Sequence, residues 1–123
     1  MSDDASELLA AARRLLAKTS ADAAGAWPKA VALLARQSLE TALDDFWRWK
    51  APGAEHASRA AQLICVGSFV KDPAVAAGIR AAWNELSRAC HHHAYELAPT
   101  ADELNRMVAA VAGFLDHLRT SAL

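Results

Sequence analysis

Apolar positions recur at helical spacing along almost the whole chain, and prolines and glycines cut that pattern into pieces of helical length. Leu8, Leu9, Ala12, Leu15 and Leu16 fall on one face of a first helix predicted over residues 3–18, with Asp3, Asp4 and Glu7 at the positive end of its dipole. A loop follows, through Trp27. Pro28 suits the first position of a second helix, because its missing N–H would have no partner there. That helix runs to about residue 50, with Ala32, Ala35, Leu39, Ala42, Leu43 and Phe46 facing inward, and Pro52-Gly53 ends it. Residues 54–70 are apolar nearly all round. Residues 63–70 have a strand-like composition, but a lone strand would have no partner, so a central helix is expected. Asp72-Pro73 reads as the N-cap and first residue of a fourth helix, which runs to about residue 97 and buries Ile79, Trp83, Leu86, Cys90 and Leu97. Thr100 followed by Glu103 has the spacing of a capping box. Beyond it Leu104, Val108, Val111, Leu115 and Leu118 form a packing seam, which either fills the core or joins two copies. The expectation is an all-α fold, an antiparallel bundle of four to five helices, in a single domain over residues 1–123.

Hydrophobic residues make up 54% of the chain and charged residues 22%, a globular balance and not a disordered one. Alanine, the best helix former, is the commonest residue. The net charge of −1 argues against a surface that coats duplex nucleic acid, so any nucleic-acid contact has to be local. Residues 46–71 are mildly basic (Arg48, Lys50, Arg59 and Lys71 against Glu55) and read first as a solvated helix surface. Cys65 and Cys90 lie in apolar surroundings and are expected to be buried, reduced thiols, which fits a reducing cytosol. The acidic start has no basic n-region and no apolar h-region, and no apolar run is long enough to span a bilayer. A cytoplasmic protein without membrane attachment is expected.

Candidate chemistry concentrates in Arg88-Ala89-Cys90-His91-His92-His93. An arginine holds an anion in a fixed fork of donors, and a histidine moves a proton near neutral pH. Together they can do phosphate chemistry without a metal. At about 100° per residue, Arg80, Asn84, Arg88, His91, His92 and Tyr95 gather opposite the buried stripe of the fourth helix. For Arg80 and Asn84 a wet helix face is the plain explanation. His93 falls about 140° from Arg88, at the edge of the buried stripe, where a histidine bonded to a backbone carbonyl is the ordinary alternative. On a regular helix Arg88 and His92, at i and i+4, reach one phosphate. Arg88 and His93 do so through a π-type turn or through a two-fold dimer that builds a shared cleft. Three consecutive helical histidines fan out over about 200° and cannot chelate one ion together. His-x-x-x-His spacing is absent, and His92 with Glu96 supplies only two ligands, so no metal site is expected.

The pattern resembles the HEPN superfamily, small all-α bundles with an antiparallel core of about four helices. Its hallmark is an Arg, four to six intervening residues, and a His near the end of a late helix. Ala89-Cys90-His91-His92 separate Arg88 from His93, and residues 27–40 (WPKAVALLARQSLE) are similar to the family's long leading helix. The resemblance covers roughly residues 25–120 and leaves the helix over residues 3–18 as an N-terminal addition. It implies a metal-independent endoribonuclease that acts as a homodimer on RNA in a toxin–antitoxin or defence setting. It implies no cofactor, and an antitoxin or other protein as a further partner. By that resemblance Arg88 stabilises charge on the phosphoryl oxygens. His93 serves as base on a 2′-hydroxyl or acid on the leaving oxygen, and His92 takes the second proton transfer. Tyr95, Asn84 and His91 contact the nucleotide. Many active members carry a polar residue directly after the arginine, where this chain has Ala89, and some members are inactive. The alternative is a non-catalytic helical module of the same architecture that binds a partner protein or a nucleotide.

Overall fold

A computed structural model of the protein describes residues 3–19, 27–91 and 98–121. Among them are five helices, α1 (Asp4–Thr19), α2 (Trp27–Lys50), α3 (Arg59–Phe69), α4 (Pro73–Cys90) and α5 (Ala101–Ser121), with a short 3-10 turn at Ala54–His56 and no strand. The helix ends follow local chemistry. The Asp72 carboxylate accepts the Ala74 N–H at 2.9 Å, and Pro73 opens α4. Thr100 Oγ1 accepts the Glu103 N–H at 3.1 Å while the Glu103 carboxylate accepts the Thr100 N–H at 3.2 Å, the reciprocal pair of a capping box. After α2 the chain reverses through Gly53, whose φ of 101° lies in the left-handed region that a side chain would disfavour. Its N–H is held by the Glu55 carboxylate at 2.6 Å.

α1, α2, α4 and α5 form an antiparallel bundle, and α2 packs against each of the other three. Every inward residue expected on α2 is buried, and the whole Leu104–Val108–Val111–Leu115–Leu118 seam of α5 is buried within the single chain. The seam therefore fills the core. Ala5, Leu9, Ala12 and Leu16 bring α1 into the same core, while Leu8 and Leu15 are only half-buried. Alanines on both α1 and α2 let the two helices approach closely. The buried Ser38 hydroxyl then donates across that contact to the Ala5 carbonyl at 2.6 Å. At the other edge of α1, Arg119 near the end of α5 reaches Ser6 Oγ at 3.0 Å. Phe46 and Phe114 meet edge to face at 5.7 Å and tie α2 to α5.

The third helix departs from expectation. It is peripheral, not central, and shorter than the predicted 54–70 segment, because Ser58 caps a new start by accepting the Ala61 N–H at 3.2 Å. Only Gln62, Leu63 and Val66 of α3 are buried, and Ile64 is 79% exposed. Polar tethers hold it in place. Arg59 pairs with Asp44 of α2 at 2.8 Å and donates to the Glu40 carbonyl at 3.2 Å. Arg80 of α4 donates to the Leu63 carbonyl at 3.3 Å. Arg80 is thus half-buried in the α3–α4 contact and not on a wet face as expected. A Cβ on Gly67 would stand 3.4 Å from that guanidinium, in ordinary van der Waals contact with it.

Candidate functional site

The last turns of α4 carry the described part of the expected site. Leu86, Ala89 and Cys90 turn inward and anchor the helix, which leaves Asn84, Arg88 and His91 exposed. At i, i+4 and i+7 these three share one helical face, as the periodicity predicts. The helix itself ends earlier than expected. Its last residue is Cys90, and the His91 N–H donates to the carbonyls of both Ser87 and Arg88 at 3.2 Å, a bifurcated closing bond typical of a tightened final turn. The rest of the predicted extension, residues 92–97, lies outside the described residues, and with it His92, His93, Tyr95 and Leu97.

Arg88 makes no ion pair among the described residues, in contrast to Arg36, Arg48, Arg59 and Arg119. As a cation in the last turn it complements the negative end of the α4 dipole, and among the described residues no ion pair takes up its five donors. Asn84 adds an exposed amide one turn earlier and His91 an exposed imidazole one turn later.

Behind this face lies a second group of polar residues that sequence reasoning did not find. The Arg36 guanidinium sits 4.8 Å above the Trp83 ring and the Arg59 guanidinium 5.9 Å from it. Arg36 Nε lies 3.5 Å from Glu40 Oε1, within ion-pair range but without hydrogen-bond alignment. Gln62 accepts from Arg59 at 2.7 Å and donates to the Ala54 carbonyl at 2.9 Å. The only sequence signal for this clamp was a glutamine inside the otherwise apolar run of α3. Trp83, expected fully inside, is half-buried because it is the platform for both arginines.

Cys90 abuts this group. Burial pushes its thiol pKa up, and the nearby Arg36 only partly offsets the effect. Cys65 is exposed on α3, which corrects the expectation that both thiols are buried. Brief treatment of the folded protein with iodoacetamide at mildly alkaline pH should therefore alkylate Cys65 and spare Cys90 until the chain is unfolded. Peptide mass mapping checks this, and equal labelling of both thiols in the native protein would contradict the packing of α4.

Comparison of the chain with protein-family models, curated proteins and solved structures finds no match. Among the described residues, no three His, Cys, Asp or Glu side chains converge as a metal-ligand group, and no helix is long and apolar enough to cross a membrane.

Proposed function

We propose that the chain is a metal-independent endoribonuclease of HEPN type, acting as a homodimer in the cytoplasm in a toxin or defence context. The observation that supports this most is the Arg88 guanidinium, outward-facing at the end of α4 and without a carboxylate partner among the described residues. An uncommitted fork of donors at that place suits a phosphate. In this scheme one histidine of the following run, His93, takes the proton from a 2′-hydroxyl, whose oxygen attacks phosphorus. The bond to the 5′-oxygen breaks, and His92 supplies the proton to that leaving oxygen. Arg88 neutralises the charge that builds on the non-bridging oxygens, and Asn84, His91 and Tyr95 hold the nucleotide. Wild-type protein in excess EDTA should then cut a single-stranded RNA and leave a DNA oligonucleotide of the same sequence intact, as followed by gel electrophoresis. Cutting that stops on chelation, or that treats RNA and DNA alike, would overturn the scheme.

A second reading has its own support. Ile64 is 79% exposed on α3, a large apolar side chain that the described residues leave uncovered. Ala89, directly after Arg88, is buried and offers no polar group. A non-catalytic helical module that binds a partner protein or a nucleotide would account for both. Under that reading, wild-type protein leaves RNA intact.

A further inference from the structure

At the opposite end of the bundle from Arg88, a cleft of about 150 Å3 opens where the end of α2 meets the ends of α3 and α5. The separation follows from α2 itself. Arg36, beside Cys90 in the last turn of α4, precedes Lys50 by fourteen residues, or about 21 Å of helix.

The cleft combines aromatic walls with positive charge. Phe46, Trp49 and Phe69 line it together with Lys50, Lys71 and His117. Trp49 is 44% and Phe69 39% exposed, so two large aromatic side chains present surface there that folding does not cover. The walls are braced. Phe69 packs edge to face on buried Trp47 at 5.1 Å, Trp47 on Phe46 at 5.0 Å, and Phe46 on Phe114 at 5.7 Å. Lys50 Nζ lies 4.3 Å from the centre of the Trp49 ring. Its ammonium keeps donors for a further partner.

Among the described residues the charge here is uncompensated: no carboxylate lines the cleft, and neither Lys50 nor Lys71 has an ion pair. Carboxylates on the neighbouring stretches of chain have partners of their own. Asp45 and Glu55 pair with Arg48, Asp116 pairs with Arg119, and Asp72 caps α4. Two free ammonium groups match a dianion. A volume of about 150 Å3 accepts one benzene-sized ring and little more.

We propose that this cleft binds a small monocyclic aryl phosphate, with its ring between Trp49 and Phe69 and its dianionic phosphate on Lys50 and Lys71. Ring and charge act together here. An aromatic wall recognises any flat ring, and the lysines select those that carry a phosphate. The site is independent of the RNA-cleaving face on α4.

Phenyl phosphate is the probe. Titrated into the 15N-labelled full chain, it should shift the Trp49 indole N–H and the Lys71 and Ser121 amides saturably. Inorganic phosphate, which lacks the ring, and phenol, which lacks the charge, should each bind at least about tenfold more weakly. The exposed double variant Lys50→Gln/Lys71→Gln should lose at least about tenfold in affinity with an unchanged melting temperature. Arg88→Ala should bind the probe as wild type does, whatever its activity on RNA. The absence of a saturable shift, equal affinity for inorganic phosphate, or undiminished binding by the double variant would each overturn the proposal.

Discussion

Replacing Phe114 with alanine should lower the unfolding free energy by about 3–5 kcal/mol, the usual loss when a buried aromatic leaves a cavity. Phe114 is 0% exposed and meets Phe46 edge to face at 5.7 Å, where α5 crosses α2. α2 and α5 are both long helices of the bundle, so neither can shift to fill the space without disturbing its other contacts. A domain of this size is stable by only about 5–15 kcal/mol, so the variant should stand close to its unfolding threshold. Urea unfolding followed by circular dichroism measures the change. Ile64→Ala is the matched control. At 79% exposure Ile64 should change stability by no more than about 0.5 kcal/mol. A loss of about 2 kcal/mol there would instead return α3 to the centre of the fold.

Replacing Arg88 with alanine should reduce RNA cleavage by about 10²–10³-fold, the usual effect of removing one preorganised group that stabilises transition-state charge. Its side chain is exposed and unpaired among the described residues, so folding stability should stay within about 0.5 kcal/mol of wild type. A fall in rate without a fall in melting temperature separates a role in the reaction from a structural one. Arg88→Lys keeps the charge but not the planar fork, and should recover only part of the loss.

Much of the architecture could be read from local chemistry. Asp72-Pro73 and the Thr100–Glu103 pair mark helix starts because a cap is satisfied within three residues and needs no tertiary context. The stripes of α2 and α5 were legible because their apolar faces recur over several turns. α3 was misread for the opposite reason. Its sequence is apolar on most sides, so periodicity could not tell which face turns inward, and the tethers that decide it come from Asp44, Glu40 and Arg80 on other helices. The same blindness hid the exposure of Ile64 and Cys65. The close of α4 at Cys90 carries no glycine or proline, and the next punctuation is Pro99, so nothing in the sequence marks it. Of the candidate site, the outward face of Asn84, Arg88 and His91 followed directly from helical geometry. The stacking of Arg36 and Arg59 about Trp83 could not be foreseen, since it joins α2, the start of α3 and α4 across long stretches of chain.

The claim that this face carries out metal-independent phosphate chemistry has one direct test, the initial rate of single-stranded RNA cleavage in excess EDTA by wild type, Arg88→Ala and His93→Ala. Cleavage by wild type that drops by about two orders of magnitude or more in each variant is the predicted result. Equal rates in all three proteins, or no cleavage by wild type, would contradict it.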